Sequence, residues 1–176
     1  MRCFLTAAVL ALVLLAGCNP VFNWREARFD AADLTALLPC KPDKAERPVL
    51  LGTQQVTLQM QGCDTGGATF AVARVALSDA GQAGQALAQW KAATLANMRA
   101  ATVQEAAFVP PGAIALPQSL RVAASGYRPD GRAVSAHAAW FARTRGNQID
   151  LFHIALYADR VDPEVSSTFF SGIRFP

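Results

Sequence analysis

The chain's clearest alternation of apolar and polar residues runs from Val56 to Gln61, in the order VTLQMQ. A period of two places every second side chain on the same face, which is typical of a half-buried β-strand. The residues DTGG at 64–67 favour a turn, and the apolar-rich stretch from Thr69 to Leu77 can return beside the first strand. The pattern therefore predicts a β-hairpin over residues 56–77.

A helical spacing follows between residues 83 and 101. Leu87, Trp90, Thr94 and Met98 lie three or four positions apart, so they share one stripe of an α-helix. The alanines around them have high helix propensity. We predict a long helix over 83–101, with Trp90 and Met98 packed into the core.

A second, shorter helix is predicted near the C-terminus. Asp162 is a good N-cap residue, Pro163 suits the first helical position, and Glu164 interacts favourably with the helix dipole. The helix is expected to end near Ser171, where Gly172 can adopt the left-handed conformation.

Further strands lie between and after these elements. They are predicted over residues 120–127, 134–144 and 148–157, joined by turns at 128–132 and 145–147. Residues 30–38 have a mixed pattern that fits either a helical turn or a short strand. The predicted fold class is α+β: a mainly antiparallel β-sheet with one long and one short helix packed on it.

The N-terminus has the pattern of a secretory signal peptide. Arg2 precedes residues 4–16, which are apolar apart from Thr6 and too short to cross a membrane. The run ends in LAGC at 15–18, which resembles the bacterial lipobox, where cleavage precedes a cysteine that carries lipid. We expect lipidation of Cys18; the alternative is an ordinary signal peptide with an incidental cysteine.

Three regions follow from this interpretation. They are a lipoprotein signal peptide at 1–17, a lipidated tether at 18–28 and a single α+β domain at 29–176. The membrane would be bound through the lipid alone. Because Asn19 rather than Asp follows the cysteine, we expect the outer membrane, with the domain facing the periplasm.

The remaining cysteines predict a disulfide. Of the four in the chain, Cys3 leaves with the signal peptide and Cys18 is used for lipid. Cys40 and Cys63 are left in an oxidising compartment, so we pair them. The alternative is a reactive or metal-binding thiol pair, but no histidine lies between residues 18 and 136 to complete a metal site.

Two histidines are the weak candidates for chemistry. His137 and His153 lie on the two strands predicted to meet at the turn near Gly146. A hairpin centred on Gly146 makes them diagonal neighbours on one face, within reach of a shared metal ion or proton. A register one residue different would separate them onto opposite faces. The simpler interpretation is two hydrogen-bonded or exposed strand histidines, and we predict no metal site.

Short motifs resemble those of small, uncharacterised lipoproteins of Gram-negative bacteria. They are LPCKP at 38–42, MQGCD at 60–64 and FAVA at 70–73. The order of elements also resembles the PsbP-like fold, an antiparallel sheet flanked by helices. This resemblance implies a fold and an accessory role in the cell envelope; it implies no reaction.

The composition argues against further classes of function. A hydrophobic fraction of 52% excludes a disordered chain, and a net charge of only +3, spread along the sequence, argues against nucleic-acid binding. No nucleophile elbow, phosphate-binding loop or zinc-protease motif is present. We therefore expect a non-catalytic, cofactor-free lipoprotein that binds an envelope protein or supports assembly. The alternatives are a module that binds a small ligand or metal, and an enzyme whose site is assembled from scattered residues.

Overall fold

The fold is built on one large antiparallel β-sheet. The computed structural model describes residues 21–52 and 54–176. The elements are β1 (Arg25–Phe29), β2 (Leu34–Leu38), β3 (Asp43–Leu51), β4 (Gln54–Thr65), β5 (Ala68–Leu77), α1 (Ala83–Asn97), β6 (Thr102–Ala107), β7 (Leu120–Tyr127), β8 (Ala133–Arg145), β9 (Gln148–Ala158) and α2 (Pro163–Ser171). The predicted α+β class is confirmed.

Seven strands form the sheet in the order β3-β4-β5-β9-β8-β7-β6, and every neighbouring pair is antiparallel. The predicted hairpin is present as β4 and β5. Strands β1 and β2 form a separate hairpin. It packs with α2 on one face of the sheet, whereas α1 packs on the other. The central strand β9 is covered on both sides, which is why its sequence is almost continuously apolar.

Aromatic residues fill the layer beneath α2. Phe169 is fully buried and meets Phe70 of β5 edge to face, with ring centroids 5.3 Å apart. Phe141 and Phe152 stack across β8 and β9 at 5.1 Å. Burial of each ring contributes about 1.5–3 kcal/mol. This layer therefore holds the short helix and the β1–β2 hairpin against the sheet.

Helix α1 buries the predicted stripe but ends earlier than expected. Leu87 and Met98 are buried, and Trp90 is half-buried. The last turn closes when Arg99 adopts a left-handed conformation (φ 46°) and Ala100 N donates to Leu95 O. The helix therefore ends at Asn97, about one turn before the predicted end near residue 101, and the chain turns into β6.

Helix α2 begins as predicted. The Asp162 side chain accepts hydrogen bonds from the backbone N–H groups of Glu164 and Val165, and Pro163 opens the helix. Gly172 does not adopt the left-handed conformation, since its φ is −77°. Glycine is needed there for space instead: an added Cβ would lie 2.5 Å from the Cβ of Leu37.

The N-terminal boundary also differs from the prediction. Strand β1 starts at Arg25, so the last residues of the predicted tether belong to the fold. Asn23 N donates to Pro39 O, and Trp24 packs edge-on against Phe70. Residues 30–38 contain both alternatives left open by the sequence, a short 3-10 turn at Asp30–Ala32 and then β2. Strand β6 was not predicted.

The predicted signal peptide and Cys18 lie outside the described residues. Within the described ranges, no helix has both the length and the apolar character needed to cross a membrane.

Candidate functional site

The predicted disulfide is present. Cys40 lies in the loop between β2 and β3, and Cys63 lies on β4 opposite Phe70. Their sulfur atoms are 2.06 Å apart, and their Cα atoms 6.0 Å apart. The bond joins the β1–β2 hairpin covalently to the sheet.

The two histidines lie on opposite faces of the sheet. A two-residue turn joins β8 and β9, so Arg145 pairs with Gln148 and the register places His137 opposite Leu156. Of the two registers considered from the sequence, the structure has the one that separates the histidines, and the same-face arrangement of a hairpin centred on Gly146 is not formed. Within residues 21–52 and 54–176, no group of three or more His, Cys, Asp or Glu side chains is placed to hold a metal ion.

His137 lies under α2 and contacts a serine. Its Nδ1 is 2.7 Å from Ser166 Oγ, and Arg121 Nη2 donates to the same oxygen at 2.9 Å. Burial, and then the charge of Arg121, lower the pKa of His137. The Arg121 guanidinium also lies 3.9 Å from the centre of the Phe170 ring.

This serine and histidine differ from a nucleophile and its base in two ways. Ser166 is 1% exposed, and it does not line the shallow depression of about 300 Å³ on the outer side of His137. Among the described hydrogen bonds, none joins His137 to an Asp or Glu that would orient it. The cluster instead connects α2 to β7 and β8, which is a structural role.

On the opposite face, a cleft of about 380 Å³ opens between the C-terminal end of α1 and the sheet. That volume falls in the range of small-molecule sites. Thr94, Asn97 and Met98 form the helix side. The sheet side includes His153 and Tyr157 of β9.

The rest of the cleft wall comes from the end of β7 and the turn after it. Tyr127, Arg128 and Pro129 supply this part. Tyr127 N donates to Met98 O at 2.7 Å, which attaches the wall to the helix end. Gly126 permits this approach, because a Cβ there would lie 2.3 Å from Met98 O.

Buried polar atoms without partners concentrate at this cleft. The described part of the chain has five such side-chain atoms. Two of them, His153 Nε2 and Arg128 Nε, belong to residues that line the cleft. A third, Trp140 Nε1, belongs to the ring that is stacked on His153. A buried polar atom without a partner costs about 1–3 kcal/mol. A bound water or a ligand group would satisfy such atoms.

The aromatic environment keeps the cleft floor uncharged. His153 stacks on Trp140 with ring centroids 4.7 Å apart and meets Trp90 edge-on at 5.4 Å. Burial lowers the pKa of His153 to about 3 and raises the pKa of Tyr157. Both side chains are therefore neutral at pH 7, and Arg128 supplies the charge of the cleft wall.

A larger groove of about 480 Å³ lies near the C-terminus and contains several charged residues. Glu26 there already pairs with Arg28 and with Arg174. The groove is rich in mutually paired surface charges. We therefore regard the smaller, aromatic cleft as the candidate site.

One buried ionic network lies away from the cleft. Asp150 is fully buried and accepts hydrogen bonds from Arg74 Nη2 at 2.6 Å and Arg145 Nε at 3.0 Å. Arg74 also donates to Gln59 Oε1. The four residues connect β4, β5, β8 and β9, which indicates a structural function.

The sequence contains no local signal for the cleft. The residues that line the cleft come from β5, α1, β7, β8 and β9. His153 was a candidate from the sequence only as a same-face neighbour of His137, not as part of this cleft. Comparison of the chain with protein-family models finds no match, and comparison with curated proteins finds no match either.

Proposed function

We propose that this chain is a lipid-anchored protein of the cell envelope whose domain acts by binding a small ligand, without catalysis. The lipobox-like LAGC sequence and the Cys40–Cys63 disulfide support export and anchoring. An outer-membrane location facing the periplasm and a PsbP-like fold are part of the same proposal.

The anchor would hold the domain close to the membrane. Only six residues, 19–24, separate Cys18 from the start of β1. A chain of that length spans at most about 25 Å. A ligand bound in the domain would therefore stay near the membrane face.

The single observation that carries the binding proposal is the cleft under the end of α1. It combines a suitable volume, aromatic walls and two lining side chains with buried polar atoms that lack partners. A largely apolar concavity with a few convergent polar groups is the usual form of a small-molecule site. The serine–histidine cluster on the other face lacks such a cavity around its hydroxyl.

The uncharged aromatic probe N-phenyl-1-naphthylamine tests this proposal. We expect saturable binding at one site, with energy transfer from Trp90, which lies 5.4 Å from the His153 ring. Asn97→Phe places a ring at the rim of the cleft and should abolish binding. Ala96→Phe, on the exposed side of the same helix, is the matched control and should keep it. Absence of saturable binding, or equal binding by both variants, contradicts the proposal.

Binding of an envelope protein is a second candidate, favoured by the sheet edge at β6. All six of its residues are exposed, and it contains neither proline nor a basic residue. The other edge, β3, carries Pro48, Lys44 and Arg47, which discourage strand addition. A photocrosslinking residue at Val103 should capture a partner in cells more efficiently than one at Val49 of β3. Equal capture contradicts this role.

A further inference from the structure

We propose that the cleft selects a flat aromatic ligand that carries an anionic group, an inference that rests on the proposed binding function. The charges and aromatic rings around the cleft favour this class of ligand.

The charged side chains at the cleft are cationic. Arg128 lines it, and the Arg99 guanidinium lies over the Tyr127 ring at 5.2 Å from its centre. No Asp or Glu is found among the described residues that line the cleft. An anion in the cleft is therefore attracted by Arg128, and the described lining residues add no carboxylate.

Arg128 has donor capacity left for a ligand. Its Nη2 contacts Asp159 at 3.4 Å, but that carboxylate side chain is 81% exposed and its attraction is screened by water. Its Nε is buried without a partner among the described residues, whereas the side chain as a whole is 23% exposed, so the outer guanidinium nitrogens remain accessible to a ligand. A guanidinium forms its strongest hydrogen bonds with carboxylate, sulfonate or phosphate oxygens.

The C-terminal end of α1 works against an anion, but with a smaller charge. A helix end carries about half an elementary charge, and here it is negative. Several carbonyls at this end already accept hydrogen bonds: Ala100 N donates to Leu95 O, and Tyr127 N donates to Met98 O. The full positive charge of Arg128, which lines the cleft, is larger than that half charge.

The rings around the cleft favour a planar body. Tyr127 and Tyr157 lie on its walls, and His153 on its floor is backed by the parallel ring of Trp140. Aromatic faces pack best against other flat rings. Because His153 is neutral, its face adds surface for stacking without a competing charge.

A matched pair of probes tests the class. 8-Anilino-1-naphthalenesulfonate is N-phenyl-1-naphthylamine with one added sulfonate, so the ratio of their dissociation constants isolates the anionic group. Both are titrated against the full domain by fluorescence at fixed ionic strength. We expect the sulfonate to bind about tenfold more tightly, as a charge-assisted hydrogen bond implies.

Arg128→Gln should bring that ratio to within about twofold of one, since the amide keeps a donor but loses the charge. Arg160→Gln, an exposed arginine on the other face, should leave the ratio unchanged. Circular dichroism verifies that both variants are folded.

Saturable binding of both probes with equal affinity, or a preference unaffected by Arg128→Gln, overturns the anionic class and leaves the binding proposal standing. Failure of both probes to bind saturably removes the binding proposal itself. A preference for the sulfonate that survives Asn97→Phe assigns the anion to another surface and overturns the inference.

Discussion

Acid unfolding tests the environment of His153. In the folded protein its ring is stacked on Trp140 and close to Trp90, and burial lowers its pKa from 6.5 to about 3. Its Nε2 has no partner in the described part of the chain. In the unfolded chain the same ring is solvated and has its ordinary pKa.

The sign of the effect follows from which state binds the proton. Above pH 6.5 both states are neutral at His153, so stability does not depend on this group. Between pH 6.5 and about 3 only the unfolded chain is protonated there, and the free energy of unfolding falls as the pH falls. One pKa unit corresponds to about 1.4 kcal/mol, so the loss at pH 4 relative to pH 8 is about 3 kcal/mol.

His153→Phe is the variant that isolates this contribution. Phenylalanine keeps a ring against Trp140 but cannot be protonated and removes the unpartnered nitrogen. Urea unfolding of both proteins should be followed by far-ultraviolet circular dichroism from pH 8 to pH 4. Tryptophan fluorescence is unsuitable, because protonation beside Trp140 changes its emission directly.

We expect wild type to lose about 3 kcal/mol more than the variant between these pH values. His137, whose pKa burial also lowers, is present in both proteins and cancels in the comparison. If the difference in stability stays constant with pH to within about 0.5 kcal/mol, a level typical of independent effects, the deduction that His153 is held neutral is refuted.

Three other predictions concern the disulfide, the buried carboxylate and the anchor. Replacing Cys40 and Cys63 together by serine should lower the unfolding free energy by about 3 kcal/mol, because the bond closes a loop with a sequence separation of 23. Asp150→Asn should cost about 3–5 kcal/mol by leaving a buried arginine uncompensated, whereas Asp130→Asn, which removes an exposed ion pair with Arg132, should cost far less. Cys18→Ala should yield an uncut precursor that incorporates no labelled palmitate in cells.

Each of these has a clear contrary result. Equal chemical stability of wild type and the doubly substituted cysteine variant would show that the disulfide contributes nothing to folding. Equal costs at Asp150 and Asp130 would remove the distinction between buried and exposed pairs. Palmitate labelling of Cys18→Ala equal to wild type would contradict the lipobox interpretation.

Features that depend on neighbours in the chain were predictable. The Asp162 cap acts on N–H groups two and three residues away, and the β4–β5 hairpin turns at adjacent glycines. The pairing of Cys40 with Cys63 followed from counting the thiols left in an oxidising compartment. In each case the interaction is short in sequence, or the number of possible partners is small.

The faces on which the two histidines lie depended on a register difference of one residue. The hydrophobic pattern of the strands does not reveal so small a difference. A turn of two residues, rather than three, shifts the β8–β9 register by one, and side chains alternate faces along a strand. His137 and His153 are therefore separated by the whole thickness of the sheet. Hydropathy alone does not distinguish these registers, because both faces of β9 are buried.

The cleft was decided by tertiary structure alone. The left-handed conformation of Arg99 ends α1, and Gly126 lets the helix end approach β7. Tyr157 lies on β9, more than fifty positions after the end of α1 in the sequence. No one of these residues marks a binding site in its local sequence. Sequence periodicity sets which face of each element is apolar, but the space left between two packed elements depends on how all of them fit together.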